Sequence, residues 1–162
     1  LYAPGSIFKV ATAYAGLEKG AITPETEYVC NGFFHVKGRS EPFKCWKEET
    51  GHGRVKLHDA IKGSCNVFFY NTGMGAGVDE LHKYASLFRL GKLTGVGLLN
   101  EKAGLIPSSS WKKRVFNEPW YGGETPSMSI GQGYIIVTPL QVINMINILA
   151  NYGMWMPPRL LL

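Results

Sequence analysis

Ser6 and Lys9 stand three residues apart at the head of a segment, residues 7–17, that is apolar on nearly every side. Three residues is close to one helical turn, so the two side chains leave the same helix face. Lysine is seldom fully buried without a partner, and burial disfavours its charged form and lowers its pKa. A neutral amine beside a serine hydroxyl can take the hydroxyl proton and activate the oxygen for attack on a carbonyl. Backbone N–H groups at the helix start would favour the negative charge that develops. The alternative for the same two residues is a serine N-cap followed by a snorkelling lysine. The spacing recurs at Ser109 to Lys112 and Ser110 to Lys113. Those pairs lie in a polar stretch, where an exposed helix start with solvated lysines is the expectation.

Ser64-Cys65-Asn66 is the only Ser-x-Asn in the chain. It falls at a break between two expected helices, where a hydroxyl and a carboxamide can face a shared cleft. Cys30, Cys45, His52 and Cys65 are separated by 14, 6 and 12 residues. Three thiolates and an imidazole complete a tetrahedral shell for structural zinc, with no open position for water. His52 lies between two glycines, where a ligand can be aimed freely. Cys65 would tie such a site to the Ser64–Asn66 wall. One disulfide with a buried free thiol is the alternative, but zinc uses all three cysteines and a disulfide cannot. His58 is a substitute ligand on paper; beside Asp59 on a helix it reads as a surface residue. His35 and His82 read as structural.

The elements that must hold these residues are mostly helices. Pro4-Gly5 signals a turn with Ser6 as N-cap of a helix over 7–17, stopped by Gly20. Residues 28–38 suggest a hairpin broken by Gly32 and Gly38, and 39–54 a polar, glycine-rich loop. Short helices follow at 57–62, ended by Gly63, and at 67–74. An amphipathic helix spans 78–88, with Leu81, Tyr84, Ala85 and Phe88 on one face. Residues 91–107 read as irregular, 108–115 as a Ser-capped helix and 117–137 as loop. Thr138-Pro139-Leu140-Gln141 is a helix start with Thr as cap, Pro first and Gln third, running to about 152. The four tryptophans, Phe33, Phe34, Phe68 and Phe69 are expected in the core; Trp120-Tyr121 could instead line the cleft.

The chain of 162 residues is 45% hydrophobic and 18% charged, which excludes a disordered, collagenous or coiled-coil state. No run of about 18 apolar residues occurs. The net charge of +5 is scattered, without the concentrated basic patch of a nucleic-acid binder, so no nucleic-acid partner is expected. Leu1 to Gly5 show no signal peptide. The chain lacks an initial Met and stops within Leu160-Leu161-Leu162, so a piece of a longer protein is expected.

Five strings in order carry a resemblance: Tyr2-Ala3-Pro4-Gly5-Ser6-Ile7-Phe8-Lys9, Gly51-His52-Gly53, Ser64-Cys65-Asn66-Val67-Phe68-Phe69-Tyr70, Glu118-Pro119-Trp120-Tyr121, and Gly131-Gln132-Gly133-Tyr134 leading into Thr138-Pro139-Leu140-Gln141. With them the whole chain resembles the transpeptidase domain of class B penicillin-binding proteins, of the elongation-type penicillin-binding protein 2 branch. Ser-x-x-Lys with Ser-x-Asn alone would also suit β-lactamases. The resemblance implies an α+β, β-lactamase/transpeptidase-like fold, of which residues 1–162 are mainly the helical subdomain. It implies Ser6 as acylated nucleophile, Lys9 as its general base, Ser64 as proton relay to the leaving amine and Asn66 as holder of the substrate backbone. The reaction would be D,D-transpeptidation of D-Ala-D-Ala stem peptides, with β-lactams trapping Ser6 and no catalytic cofactor. Some members of the branch look similar at the Cys/His positions and carry a metal there. The family's Lys-Thr-Gly strand has no match, since Lys92-Leu93-Thr94-Gly95 has an extra residue and is misplaced. The chain is therefore expected to be a partial domain, truncated at both ends, inactive alone and with an exposed apolar helix rim. Expected surroundings are the periplasmic face of the cytoplasmic membrane, through an anchor outside this chain, and cell-elongation proteins that govern cell shape. A β-lactam sensor or scaffold and a D,D-carboxypeptidase or β-lactamase-type hydrolase are the alternative readings.

Overall fold

The computed structural model describes residues 1–159; the terminal Leu160-Leu161-Leu162 run lies outside the described residues. Helix α1 (Lys9–Glu18) follows directly from a 3-10 turn at Gly5–Phe8. It is apolar all round because it divides the core. Phe8, Ala11 and Ala15 pack with Leu81, Phe88, Met128, Ile135 and Met145, while Ala13 packs with Ile22, Val55, Phe68 and Phe69 on the other side. Each fully buried Phe contributes about 1.5–3 kcal/mol relative to an exposed one.

Three helices follow the strand region in rapid succession: α2 (Leu57–Lys62), α3 (Asn66–Ala76) and α4 (Val78–Leu87). Leu81, Ala85 and Phe88 are buried, as the amphipathic pattern requires. Helix α5 (Ser109–Phe116) carries the expected cap, Ser108 Oγ accepting from the Trp111 N–H at 3.1 Å. A 3-10 turn at Gly122–Glu124 and the short α6 (Thr125–Ser129) occupy the stretch expected to be loop. Five residues rich in Ser, Thr and Pro give no periodic signal. Their order comes from outside: Trp120 Nε1 donates to Thr125 Oγ1 at 2.9 Å, and Met128 and Ser129 are buried. At Gly73 of α3 an added Cβ would lie 1.8 Å from Ser129 Oγ, so α3 and α6 approach as only glycine allows.

Helix α7 (Pro139–Ala150) starts with the expected capping box, Thr138 N–H to Gln141 Oε1 at 3.1 Å and Gln141 N–H to Thr138 Oγ1 at 3.2 Å. It ends at Ala150, two residues short of the expected stop. Gln141 is fully buried and its Nε2 also donates to Lys92 O at 2.6 Å and Ala103 O at 2.8 Å, pinning the irregular 91–107 segment. Ile143 and Ile146 are exposed on α7. No helix among the described residues is long and apolar enough to cross a membrane.

The strands correct the expected 28–38 hairpin. β1 (Glu27–Cys30) pairs antiparallel with β4 (Gly53–Lys56), placing Tyr28 opposite Val55 and Cys30 opposite Gly53. β2 (Phe33–Phe34) pairs with β3 (Phe43–Lys44) inside that loop. Burial decides the pairing: β1 and β4 together put Cys30 and Val55 into the core and set Tyr28 against Phe68, ring centroids 5.2 Å apart. The ion pairs along β4, Arg54–Glu27 and Lys56–Glu25, are exposed and worth little.

Candidate active site

Lys9 is the first residue of α1 and is 3% exposed. Its Nζ donates to Ser64 O and Ser64 Oγ, both at 2.8 Å, and to Asn66 Oδ1 at 2.7 Å. Three ammonium protons thus meet three acceptors. The Phe69 ring centroid lies 5.6 Å from Nζ. Burial pushes the Lys9 pKa from its ordinary range down to about 8, with the Cys45 and Cys65 thiols pulling it partly back up. Loss of one proton leaves two donors for three acceptors and a lone pair free to accept another proton.

Ser64 holds its position through backbone geometry. Its φ is +50°, in the left-handed region that non-glycine residues rarely adopt. The cause is the end of α2: Cys65 N–H donates to Ala60 O at 2.9 Å and Ser64 N–H to Ile61 O at 3.2 Å. This is a Schellman closure with Ser64 at the position glycine usually fills. Asn66 then opens α3, and its Nδ2 donates to Lys44 O at 3.2 Å, linking the site to β3. Tyr70 OH donates to the same carbonyl at 3.0 Å.

Ser6 is exposed and lies inside the 3-10 turn, so it is not the N-cap that the sequence suggests. Gly5 at φ +58° turns the chain before it. Among the described residues no hydrogen bond joins the Ser6 hydroxyl to the Lys9 amine; the shared turn, in which the Lys9 backbone N–H donates to Ser6 O, is what places them together. The turn is seated on the loop after α6. Gly5 N–H donates to Gly131 O at 3.0 Å, and an added Cβ at Gly131 would stand 2.3 Å from Gly5 O and 2.7 Å from Phe8 Cβ. Gly131 itself sits at φ +74°. Gly131→Ala is therefore expected to destabilise the fold by about 1–3 kcal/mol and to displace the Ser6 turn. Urea denaturation checks the first effect and acylation kinetics the second; a variant equal to wild type in both would refute the support assigned to Gly131.

The cysteines gather beside this site. Cys30, Cys45, His52 and Cys65 present donor atoms all within 4.8 Å of one another, with the three thiols buried. His52 Nδ1 is 3.5 Å from both Cys30 Sγ and Cys45 Sγ, and its Nε2 faces Gly63 O at 3.1 Å. A carbonyl partner on Nε2 fixes the proton there and leaves Nδ1 as the free donor, the arrangement of a metal-ligating histidine. Burial raises the Cys45 pKa, but N–H bonds from Lys47, Asn66 and Val67 outweigh it and hold the thiol below its ordinary range. Burial pushes Cys65 up to about 12. His58 is outside this cluster, exposed beside Asp59. His35 is exposed, and His82 Nδ1 meets Ile106 O at 2.9 Å.

Lys112 and three of the aromatic residues correct the sequence reading. Lys112, expected to be solvated, is 3% exposed and paired with Glu124 and, at 3.8 Å, with Glu118. Burial opposes its charge, but the Glu124 carboxylate prevails and keeps the pKa above its ordinary value. Its partner is 12 residues away in the chain, so no helical pattern could reveal it. Of the aromatic residues expected in the core, Phe33 and Trp155 are exposed, and so, at 64%, is Trp46. Its Nε1 donates to Gly63 O and Ser64 O, both at 3.1 Å, and its ring meets His52 edge-on with centroids 5.3 Å apart. It braces the same loop that receives Lys9.

A serine on one helical turn with a buried lysine, and that lysine bound to a Ser-x-Asn loop, are features of the penicillin-recognising serine enzymes. Over residues 1–162 the sequence matches the penicillin binding protein transpeptidase domain, and the chain belongs to that family. Its relatives include peptidoglycan D,D-transpeptidase MrdA of Acinetobacter baumannii, 40% identical over 99% of this chain and 24% of that protein. MrdA of Escherichia coli is 35% identical over 100% of this chain and 25% of its own length. The fold superposes on Pseudomonas aeruginosa PBP2 in complex with WCK 5153 with a TM-score of 0.92 and 37% identity, covering 98% of this chain and 36% of that one. Helicobacter pylori PBP2, solved in complex with MreC, gives 0.91 and 36%, over 98% and 29%. The architecture is thus the α+β transpeptidase fold, here in its chiefly helical part. The chain spans about a quarter of the length of the curated relatives it matches.

Proposed function

We propose that this chain is part of a peptidoglycan D,D-transpeptidase of the cell-elongation type, acting by serine acyl transfer on D-Ala-D-Ala stem peptides and inhibited by β-lactams. The observation that carries the reading is the buried Lys9 amine bound to Ser64 and Asn66, on the same helical turn as Ser6. Ser6 Oγ attacks the penultimate D-Ala carbonyl as Lys9 takes its proton. Ser64 passes a proton to the departing D-Ala amine. Asn66 holds the stem-peptide backbone. An amine of a neighbouring strand then attacks the acyl-enzyme. Among the described residues no carboxylate is bonded to Lys9, Ser64 or Asn66, which favours transfer over rapid hydrolysis by a water with its own base. The test is intact mass of the longer parent protein after benzylpenicillin: a long-lived adduct supports transfer, and a rapidly lost one supports a hydrolase.

The chain forms a partial transpeptidase domain of that parent, which would supply the Lys-Thr-Gly strand and a membrane anchor. The site would face the periplasm. Elongation-complex proteins are the proposed partners, in keeping with the MreC complex of the Helicobacter pylori relative.

Cys30, Cys45, His52 and Cys65 suit a structural zinc, which would cross-link β1, the β3–β4 segment and the Ser64–Asn66 loop. The support is the buried donor set, the His52 tautomer and the N–H groups on Cys45. Protein purified without chelator should carry a single zinc per chain. Chelation should lower its melting temperature, because metal binding to such a site is folding free energy. Metal-free protein with a Cys–Cys crosslink would end the idea.

A further inference from the structure

A cavity of about 630 Å³ opens between the tip of the β2–β3 hairpin and the turn before α6. Lys37 and Arg39 line one wall, Tyr121, Gly122, Gly123 and Glu124 the other. A smaller cavity of about 200 Å³ shares Arg39, Gly123 and Glu124 with it and continues to Gln132 and Gly133. Gln132 directly follows Gly131, the residue that seats the Ser6 turn. The groove therefore ends, on its Gln132 side, beside the support of the Ser6 turn.

Its charge is one-sided. Glu124 is already engaged by Lys112, by the Tyr121 N–H at 2.9 Å and by Tyr134 OH at 3.3 Å. Lys37 and Arg39 have no acidic partner among the described residues. Arg39 is also held in place: its guanidinium lies 4.4 Å from the Phe43 ring centroid and its Nε donates to Glu41 O at 3.0 Å. The two terminal amino groups keep their donors. A stacked guanidinium with free terminal N–H groups suits a carboxylate, and its fixed pose lowers the entropy lost on binding. The volume suits a short extended peptide rather than a lone ion.

We propose that this groove binds a carboxylate-bearing segment of the stem peptide, remote from the scissile bond, with Arg39 as its anchor and Lys37 assisting. The proposal rests on the transpeptidase reading and deepens it: the carboxylate could belong to the strand that acylates Ser6 or to the strand that supplies the amine.

The test uses the full-length enzyme with synthetic donor and acceptor peptides. Each is made with the remote carboxylate free or as its carboxamide, on one strand at a time. Wild type should show a KM roughly tenfold lower for the free acid, the size expected for a charge-assisted hydrogen bond. The strand on which the difference appears identifies the occupant. Arg39→Ala should erase the preference and Arg39→Lys should restore part of it. Equal KM for acid and amide on both strands, or a preference surviving in Arg39→Ala, overturns the proposal. Benzylpenicillin labelling of Ser6 in the wild-type protein separates the two failures. Labelling without an acid preference removes the groove alone, whereas no labelling removes the transpeptidase reading and the groove with it.

Discussion

Benzylpenicillin should add the mass of one penicilloyl group to the parent protein and none to its Ser6→Ala variant. The expected effect is complete because a covalent bond either has its oxygen or does not. Ser6 is exposed and its hydroxyl makes no hydrogen bond among the described residues, so removing that hydroxyl leaves no buried group unpaired. A matched melting temperature for the variant would therefore show that the lost adduct reports chemistry rather than folding. An adduct that persists in Ser6→Ala would assign the nucleophile elsewhere. No adduct on either protein would bring the sensor or scaffold reading to first place.

Replacing Lys9 should slow acylation by about 10²–10⁴-fold, the usual range for a lost general base. Lys9→Met also strips Ser64 and Asn66 of their shared donor, which risks a fold defect of its own. Lys9→Arg is the sharper variant, since it keeps a cation and several donors while being unable to lose a proton near neutral pH. The pH profile separates the roles. With a pKa of about 8, Lys9 is charged below that value and holds the proton it must shed to act as base. The wild-type acylation rate should rise about tenfold per pH unit below 8 and level off above it. The Lys9→Arg rate should stay low and flat. A wild-type rate independent of pH from roughly 6 to 9 would remove Lys9 from the role of base.

Chain-local information was readable in the residues. The Ser6–Lys9 spacing, the Gly63 stop of α2, the amphipathic face of α4, the Ser108 cap and the Thr138–Gln141 box all concern groups within one or two turns. Helix geometry relates such residues without reference to the rest of the molecule. The all-round apolarity of α1 likewise signalled burial, and its buried lysine signalled a need for partners. The four Cys and His positions could be grouped by chemistry, though not by distance.

What tertiary structure decided lies between residues far apart in the chain. β1 takes β4 because that pairing buries Cys30 and Val55, a choice invisible within residues 28–38. Lys9 reaches Ser64 and Asn66 across more than fifty residues, and burial at that junction is what pushes its pKa down to about 8. Lys112 shares the Ser-x-x-Lys spacing and sits in a polar stretch, yet Glu124 closes over it. Trp46 looks like core and serves as an exposed brace on the Ser64 loop. The sequence by itself determined which groups could do chemistry and which helix turn carries two of them. Which lysine becomes a desolvated base and which a buried ion pair depended on the surface each one met. Burial and charge pairing are set by neighbours in space, and no period along the chain encodes them.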